Sequence, residues 1–394
     1  MGKRTKKIEK INPNEFGGLL YDHQELDAVL HVLFDAKIFR YAGRKLSKVD
    51  RFENEIKKYL RVKYALGLNS GTSALKTALY AIGVKPHDRV LISAYTFIAT
   101  AASVVNLGAI PIPIDFDMNN CMNLSILEQE TNKGCTAIIP VHLQGRAFNI
   151  EPILKVARQH NIPVIEDACQ AFASKYHDTP AGVFGDIGVY SFQQYKQISS
   201  GEGGLIVTNN ENYYRRAKIY SDHGMVRELM SWDSTEAMIG DNLRINNLQA
   251  AILRVQLKKV SRLLVRQKKN RSYILSHIDS SNIKSIVNSG DIEGETGMNI
   301  MFLTSSAKIA TGLIAHAKQR KIEFRRLWDR PYYKYDVFRV NKLTPEYLGS
   351  ANCERAEDIS QRLISLSISP TLSEDNLKNI VLEIKALLGL KYII

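Results

Sequence analysis

Cysteine and tryptophan are scarce in this chain, whose 394 residues include four cysteines and two tryptophans. The cysteines, Cys121, Cys135, Cys169 and Cys353, are far apart and show no paired spacing. Paired spacing is typical of zinc sites, and a high cysteine density is typical of small disulfide-bonded domains. We therefore expect no metal site and no disulfide framework, and we expect the thiols to be packing residues.

Long apolar runs are also missing, since no run approaches the roughly 18 uncharged residues that a membrane span needs. The basic start Met1–Lys7 is followed by mixed polar sequence, where a secretory signal would have an apolar core. The sequence therefore predicts a cytoplasmic protein with no membrane partner.

Positive charge is in excess, with 53 lysines and arginines against 40 aspartates and glutamates and a formal net charge of +13. Such a charge attracts phosphorylated or carboxylated substrates and gives weak, nonspecific binding to nucleic acid. The basic residues are scattered, however, without a helix-turn-helix or aromatic RNA-reading pattern. We interpret them as a solvated surface and predict no nucleic-acid function.

Short apolar strands alternate with amphipathic helices between about Tyr64 and Thr208, a rhythm typical of βαβ units. The predicted strands are Val90–Ser93, Ile110–Ile114, Ala137–Val141, Val164–Asp167, Ile187–Phe192 and Gly204–Thr208. The predicted helices are Thr72–Ile82, Phe97–Leu107, Ile150–Gln159 and Glu211–Tyr220. This pattern predicts the α/β fold class, with a mostly parallel central sheet and helices on both faces. Ligand groups should lie where strands end and helices begin.

The flanking segments predict a second, smaller domain. Asp22–Phe34 and Val49–Leu60 are helical patterns that pack on the large domain or on a partner subunit. The segment from Asn246 to His277 predicts one long helix. It is followed by three further elements: Met298–Leu303, Ala307–Arg320 and Asn376–Leu388. We assign residues 1–250 to an N-terminal segment and a large domain, and 251–394 to the long helix and a small α/β domain.

Lys196 follows the apolar strand Ile187–Phe192 and precedes the glycine-rich turn Gly201–Gly204. A lysine in this setting can form an imine with an aldehyde cofactor, and its amine later becomes the base that moves a proton. The alternative is a solvated surface lysine. The neighbouring motifs favour the catalytic interpretation.

Two carboxylates end the predicted strand Val164–Asp167. A carboxylate beside the pyridine nitrogen of pyridoxal phosphate keeps that nitrogen protonated, so the ring can accept electrons. Adjacent strand residues face opposite sides, so only one of Asp167 and Glu166 can serve, and we choose Asp167. The alternative is that Asp167 caps the next helix. Gln170, one helical turn on, meets the phenolic oxygen of the cofactor or is an ordinary helix residue.

A phosphate site is predicted where Asn69–Leu75 opens a helix. Free N–H groups at a helix N-terminus favour an anion, and glycine permits a close approach. We expect Gly71, the Thr72 hydroxyl and the Ser191 hydroxyl to hold the phosphate. With Lys196 these groups predict a pyridoxal phosphate site.

An aromatic ring is expected to stack on the pyridine face of the cofactor. The segment Ser93–Thr100 offers two candidates, and we choose Phe97 over Tyr95. The alternative is that both are core residues.

Four motifs, with Lys196 at its expected place, resemble those of the DegT/StrS sugar aminotransferases. They are Ser70–Leu75, Glu166–Ala171, Gly201–Gly204 and Gly240–Ile245. The likeness runs from about residue 16 to residue 388. It implies a pyridoxal phosphate-dependent aminotransferase with the aspartate aminotransferase fold, working as a homodimer whose sites lie between subunits. Such enzymes convert a keto sugar or keto cyclitol into its amine, with nitrogen from glutamate or glutamine.

The resemblance assigns the same roles to five of the cofactor residues and adds two residues; the five are Lys196, Asp167, Gln170, Thr72 and Ser191. Asn242 would reach the phosphate from the neighbouring subunit, and Arg244 would assist it.

One position departs from the commonest family pattern. Many relatives that act on nucleotide-linked sugars have a histidine where this chain has Gln193. Glutamine at this position resembles the pattern of the subgroup that acts on cyclitols. The segments Phe39–Tyr41, Ser221–Gly224 and Leu363–Ser367 resemble those of the branch that aminates an eight-carbon keto-acid sugar. The sequence therefore leaves three candidate classes of keto substrate: a nucleotide-linked sugar, a cyclitol and an octulosonate-type acid.

A substrate carboxylate would need a basic partner. Arg40, next to Tyr41, and the pair Arg325 and Arg326 could supply the guanidinium fork, although a surface role fits the pair as well. Three aromatic residues line a sugar pocket or belong to the core: Trp328, Tyr332 and Tyr333.

Two other functions suit the same scaffold, a sugar dehydratase and a regulatory protein without turnover. In the dehydratases the imine lysine is replaced by histidine. Lys196 and Asp167 therefore favour aminotransfer over both alternatives.

Overall fold

The computed structural model describes residues 20–42, 46–278, 291–343 and 353–388, together with the backbone of 284–285. The Met1–Lys7 segment lies outside the described residues. Within these ranges no helix is long and apolar enough to cross a membrane. The same ranges contain no group of three histidine, cysteine or acidic side chains that could hold a metal ion.

The N-terminal two thirds of the described chain contains eight helices and nine strands. The helices are α1 His23–Phe34, α2 Lys48–Leu60, α3 Gly71–Ile82, α4 Ile98–Val105, α5 Leu124–Asn132, α6 Glu151–Gln159, α7 Glu211–Tyr220 and α8 Asn247–His277. The strands are β1 Tyr64–Leu68, β2 Arg89–Ser93, β3 Ile110–Ile114, β4 Ala137–Ile139, β5 Ile165–Asp167, β6 Lys175–Tyr176, β7 Thr179–Pro180, β8 Ile187–Ser191 and β9 Gly204–Thr208.

Seven of these strands form one layer in the order β1-β9-β8-β5-β4-β2-β3, and β6 and β7 form a separate two-stranded sheet. Two groups, β1-β9-β8-β5 and β3-β2-β4, are joined by parallel bridges from Ile138 to Val164 and from Val141 to Asp167. Only β9, among the strands of this layer, runs antiparallel to its neighbours. The prediction of a mostly parallel sheet is confirmed. β9 is the exception because residues 192–203, which join it to β8, form turns and no helix that could cross the sheet face, and parallel neighbours are usually joined by such a helix.

Helices cover both faces of this sheet, which explains why its strands are nearly continuous apolar runs. Leu66 and Leu68 face a core that contains α3, α4 and α6 residues. Ala65, on the opposite side of β1, faces a second core with residues of α2 and α8.

The 31-residue helix α8 begins with a capping box between Asn246 and Gln249. It contacts the N-terminal helix α1 through Glu25, which accepts from Gln256 Nε2 and Lys259 Nζ, both at 2.7 Å. Because α8 is continuous across residues 250 and 251, the domain boundary given there stays a prediction.

The C-terminal part contains a four-stranded antiparallel sheet in the order β10-β11-β13-β12. Its strands are β10 Lys284–Ser285, β11 Asn299–Leu303, β12 Phe324–Arg325 and β13 Leu363–Ser367. Its helices are α9 Ala307–Gln319, α10 Asp336–Val340, α11 Glu354–Arg362 and α12 Glu374–Leu388, with a 3-10 turn at Tyr332–Lys334. Ile300, Phe302, Leu313 and Ile364 belong to its apolar core.

Candidate active site

A cavity of about 390 Å³ lies at the carboxyl ends of β1, β2, β5 and β8. Arg325, Leu327 and Trp328 of the C-terminal part line one side of it. Most of the predicted site residues line this cavity: Gly71, Thr72, Phe97, Asp167, Gln170, Ser191, Gln193, Lys196 and Arg325. Residues distant in sequence therefore meet at the sheet edge where strands end and helices begin.

The first turn of α3 forms one end of the cavity. Ser70 caps this helix, and its hydroxyl accepts from the Ser73 N–H at 3.1 Å. The first N–H groups of a helix have no intrahelical acceptor and attract anions. A Cβ on Gly71 would lie 2.8 Å from the Ser191 Cβ and 3.2 Å from its hydroxyl. Because Gly71 has no side chain, the first turn of α3 packs directly against Ser191 at the end of β8. These two elements together form a cradle that could hold a phosphate.

Asp167 ends β5 and is 4% exposed. Its Oδ2 accepts from the Thr100 hydroxyl at 2.8 Å, and its Oδ1 accepts from the Cys169 N–H at 3.1 Å. The segment after Asp167 is a series of turns. The alternative of a helix cap is therefore wrong, because no helix follows that the carboxylate could cap.

Glu166 lies on the opposite face of β5 and is fully buried. Its oxygens accept from His142 Nε2 at 3.0 Å, from the Gly182 N–H at 2.8 Å and from the Phe184 and Gly185 N–H groups at 2.5 Å. This carboxylate holds the loop before β8 in place. Asp167, by contrast, is the one that faces the cavity.

Lys196 lies in the turn between β8 and β9, where its N–H donates to the Gln193 carbonyl at 2.9 Å. Burial lowers the pKa of Lys196 below its ordinary value, and the positive charge of Arg325 acts in the same direction. Electrostatic interactions with Cys169 and Asp167 oppose the shift. A lysine with a lowered pKa has more neutral amine and is a better nucleophile.

Gln170 lines the cavity from a turn rather than from the predicted helix. Its Oε1 accepts from Gln144 Nε2 at 3.0 Å. Its carbonyl accepts from the Gly145 N–H at 2.7 Å. The turn after β4 therefore fixes the position of Gln170.

Of the two aromatic candidates, Phe97 lies at the cavity as the residue before α4 and is 52% exposed. Tyr95 is fully buried and contacts Trp328 edge-on, with ring centroids 4.9 Å apart. Trp328 also lines the cavity. Tyr332 and Tyr333 belong to the core, so the core interpretation holds for these two.

The adjacent arginines of the small domain have different surroundings. Arg325 lines the cavity and donates to the Ser367 hydroxyl at 3.4 Å. Arg326 donates to the Gln361 carbonyl at 2.9 Å and to the Thr311 hydroxyl at 2.8 Å. The substrate role expected for Arg326 is not supported, because α9 and the end of α11 occupy its donors.

Arg40, Tyr41 and Asn242 also lie outside the cavity of their own subunit. Arg40 is 4% exposed, and its Nη2 pairs with Glu53 Oε1 at 2.7 Å. This ion pair argues against the expected role of Arg40 as a substrate ligand. Tyr41 lies under the Arg227 guanidinium, 4.3 Å from the ring centroid. Asn242 is solvent-exposed, and its contact with a partner's phosphate stays a prediction.

Sequence reasoning missed several cavity residues, and three of them bear on the chemistry of the site. Thr100 holds Asp167, and Gln144 holds Gln170. Cys169, expected to be a packing residue, lines the cavity next to Lys196. The sequence could have predicted Thr100 at the cavity, because it lies one helical turn after Phe97. Gln144 reaches the cavity through a left-handed turn with φ 54°, which no motif in the sequence indicates.

These groups fit pyridoxal phosphate. The cradle at Gly71 and Ser191 has the donors and the open space that a phosphate needs. Asp167 is a buried carboxylate for the pyridine nitrogen, Lys196 is an amine with a lowered pKa, and Gln170 presents an amide.

Comparison with known proteins gives the same result. The DegT/DnrJ/EryC1/StrS aminotransferase family model matches residues 22–385. The GDP-perosamine synthase of Escherichia coli O157:H7 is 32% identical over 340 residues, which cover 85% of this chain and 88% of that protein. The L-glutamine:2-deoxy-scyllo-inosose aminotransferase of Micromonospora echinospora is 28% identical over 90% of this chain and 89% of its own.

A solved structure of similar fold is that of NtdA from Bacillus subtilis with bound cofactor PMP. It has a TM-score of 0.83 at 21% identity and covers 97% of this chain and 87% of its own. PMP is the aminated form of pyridoxal phosphate. The chain belongs to the DegT/DnrJ/EryC1/StrS aminotransferase family and is a pyridoxal phosphate-dependent aminotransferase.

Proposed function

We propose that this enzyme transfers an amino group from glutamate or glutamine to the carbonyl of a keto sugar or keto cyclitol. The observation that carries this proposal is the meeting of Lys196 and Asp167 in the cavity that also contains Gly71 and Ser191. An amine, a ring-charging carboxylate and a phosphate cradle are the groups that such a transfer needs.

Each residue has a defined task in this proposal. When bound, pyridoxal phosphate supplies an aldehyde carbon and a ring that takes up electron density. Lys196 Nζ would hold the cofactor until the donor amine takes its place, and the freed amine would then remove the proton from the α-carbon of the donor. Asp167 keeps a proton on the ring nitrogen, and Thr100 holds its Oδ2 in place. The α3 N-terminus and Ser191 orient the phosphate.

The class of acceptor is inferred from the outer wall of the cavity and from the relatives. Phe97, Leu327 and Trp328 present apolar and aromatic surface, which suits the apolar face of a sugar or cyclitol ring. The two relatives are named for a perosamine nucleotide sugar and a deoxyinosose. Nucleotide-linked sugars, cyclitols and octulosonate-type acids are therefore the acceptors to test.

We also propose a homodimer whose subunits complete each other's sites. Helix α1 exposes large apolar side chains, with Leu26 58%, Leu33 48% and Phe34 84% exposed. Trp232 is 60% exposed in the segment that leads to Asn242. A second copy that covers these side chains would form such a dimer, in which the family resemblance implies that Asn242 reaches the phosphate of the neighbouring subunit.

The test is to measure amino transfer directly, with the absorbance of the bound cofactor as the signal. The holoenzyme should convert to the aminated cofactor on mixing with glutamate or glutamine, and the reverse change should follow with a keto sugar or cyclitol. A protein whose spectrum no amino acid changes would contradict the proposal. A dehydratase would consume a sugar without forming an amine, and a regulatory protein would turn over neither substrate.

A further inference from the structure

A second, inner compartment of about 100 Å³ adjoins the main cavity at Lys196. Four amide side chains line it: Gln144, Gln170, Gln197 and Asn299. Gln197 follows Lys196 directly in the chain, and both residues line this space from the turn between β8 and β9. Since one water occupies about 30 Å³ in the liquid, the compartment has room for the end of the Lys196 side chain to move.

The amide of Gln197 has one paired and one unpaired end. Its Nε2 donates to Gln267 Oε1 of α8 at 2.5 Å. Its Oε1 is buried and has no hydrogen-bond partner in the described part of the chain. An unpaired acceptor in a buried place is destabilising. A donor that arrives in one state of the enzyme would satisfy it.

A backbone carbonyl sets the direction of these amides. Gln267 Nε2 donates to the carbonyl of Ile368, which follows β13, at 3.4 Å. A carbonyl can only accept, so Gln267 presents its NH₂ group there and its oxygen to Gln197. Gln197 must then present its own NH₂ group to Gln267, which leaves its oxygen for the compartment. The backbone of the C-terminal part therefore decides which end of the Gln197 amide stays unpaired.

The charged groups that face Lys196 come from three places. Cys169 and Asp167 lie at the end of β5 and just after it. Glu202 belongs to the same turn as Lys196, and Arg325 belongs to β12. Burial is the largest influence and lowers the pKa of Lys196, and the positive charge of Arg325 lowers it further. A protonated Lys196 is therefore poorly solvated in the folded enzyme.

The proposed reaction makes Lys196 charged at one stage. Once the donor amine has taken its place on the cofactor, the freed lysine takes up a proton and becomes an ammonium with three N–H donors. Gln197 Oε1 is a free acceptor beside the compartment that this side chain lines. A hydrogen bond between the two would stabilise the charged form and satisfy the buried oxygen.

We propose that Gln197 is a positioning residue for Lys196, whose ammonium donates to Gln197 Oε1 whenever the lysine is not linked to the cofactor. Gln267 holds that oxygen in the direction of the compartment. The contact keeps the freed amine close to the reacting atoms and limits the effect of burial on its pKa. This inference rests on the proposed aminotransfer for the stage at which Lys196 is freed. In the apoenzyme Lys196 is free at all times, so the contact can be tested there without a substrate.

The experiment measures how readily Lys196 is acetylated as a function of pH. The apoenzyme is treated with a trace of acetic anhydride, and the modified peptide is quantified by mass spectrometry. A second series uses the holoenzyme saturated with 2-methylglutamate, which takes the cofactor from Lys196 and has no α-hydrogen to lose. Since removal of the acceptor destabilises the ammonium, Gln197→Leu should move the midpoint of both profiles down by about one pH unit.

Two further variants separate positioning from packing. Gln267→Leu removes the anchor of Gln197 and should lower the midpoint by less than Gln197→Leu does. In the double variant Gln197→Leu/Gln267→Leu an apolar pair replaces both partners of the buried hydrogen bond, a change that can be nearly neutral for stability. The double variant should melt closer to the parent than either single variant and should still show the lowered midpoint.

Asn270→Leu is the matched control. Asn270 lies one turn further along α8, and its Nδ2 donates to the Ser369 carbonyl at 2.9 Å. The variant therefore removes a similar buried amide contact that does not involve the turn of Lys196. It should lower the melting temperature and keep the parental midpoint in both profiles.

The outcomes separate the inference from the proposed function. The inference is overturned by an unchanged midpoint in the Gln197→Leu apoenzyme, or by a double variant whose midpoint returns to the parental value together with its melting temperature. If 2-methylglutamate, glutamate and glutamine all leave the cofactor spectrum of the parent unchanged, the proposed function fails instead, and the apoenzyme series still decides the role of Gln197.

Discussion

The two walls of the active-site cavity differ in how they are encoded. The large-domain wall, with Gly71, Asp167 and Lys196, consists of residues in short motifs at the ends of consecutive strands. The small-domain wall, with Arg325 and Trp328, consists of residues in a short edge strand and the loop after it. The wall that we propose for the cofactor is therefore recognisable from local sequence, whereas the opposite wall depends on how the C-terminal part packs against the sheet.

The same contrast occurs within β5 between two adjacent carboxylates. Glu166 is enclosed by N–H donors from His142, Gly182, Phe184 and Gly185. Asp167 faces the cavity and has a single side-chain donor, Thr100. The first carboxylate stabilises the loop before β8, and the second is the one that we propose for the pyridine nitrogen of the cofactor.

The largest expected effect is that of Lys196→Ala. The variant loses both the covalent link to the cofactor and the base, so the half-reaction with an amino donor should fall by about 10⁴-fold. Rapid-mixing absorbance measures this rate. A variant that retains more than a tenth of the parental rate would place the base elsewhere in the cavity.

Asp167→Asn should come next, with a fall of about 10²- to 10³-fold in the half-reaction, because the neutral amide no longer holds a proton on the ring nitrogen. Bound cofactor should be retained. Single-turnover rates are compared at equal cofactor occupancy. Equal rates in the variant and the parent would mean that another group charges the ring.

Glu166→Gln is the matched partner of that variant and should affect stability instead. A neutral amide cannot accept all the N–H groups that now surround the carboxylate, so we expect a loss of about 1.5–3 kcal/mol. The melting temperatures of Glu166→Gln and Asp167→Asn are compared with that of the parent. A larger rate effect for Glu166→Gln than for Asp167→Asn would reverse the roles given to the two residues.

Gly71→Ala tests the phosphate cradle. The new Cβ would lie 2.8 Å from the Ser191 Cβ, so we expect cofactor affinity to fall by about tenfold, measured by titration of the apoenzyme. Gly312→Ala is the control, since a Cβ at that point of α9 meets no atom within 4 Å. It should leave the affinity unchanged and stabilise the helix by about 0.5–1 kcal/mol.

The smallest effect concerns the apoenzyme and its pH dependence. Because burial lowers the pKa of Lys196 in the folded state, the protonated amine destabilises the fold at pH values below that folded pKa. The penalty disappears as pH rises from the folded pKa towards the unfolded value of about 10.4. The apo form of Lys196→Met should therefore have a higher melting temperature than the apo parent at pH 7, and the difference in melting temperature should narrow towards pH 10. A constant difference would contradict the shifted pKa.

Sequence reasoning located most of the large domain. Strands Ile110–Ile114 and Gly204–Thr208 and helix Glu211–Tyr220 have the predicted bounds. Their apolar patterns are strong because helices cover both faces of the sheet. The antiparallel direction of β9 was missed, since direction depends on the connection rather than on the strand itself.

The small-domain strands β12 and β13 were missed for a different reason. β12 has only two residues, which are too few to show the apolar alternation of a strand. The serines of β13 look like surface residues in the sequence, but they are buried and their hydroxyls hydrogen-bond to Asn299. Arg325 and Arg326 are also indistinguishable by type, and only their tertiary surroundings separate a cavity residue from a structural one. Arg40 was misplaced because its partner Glu53 comes from α2, which no motif connects to it.

The most direct measurement of the central claim is to trap the cofactor on its lysine. Borohydride reduction of the holoenzyme, followed by proteolysis and peptide mass analysis, identifies the modified residue. We predict that the peptide with Lys196 carries the reduced cofactor and that this label is lost from Lys196→Ala. Recovery of the label on another lysine, or of no covalent label from a cofactor-saturated enzyme, would contradict the account.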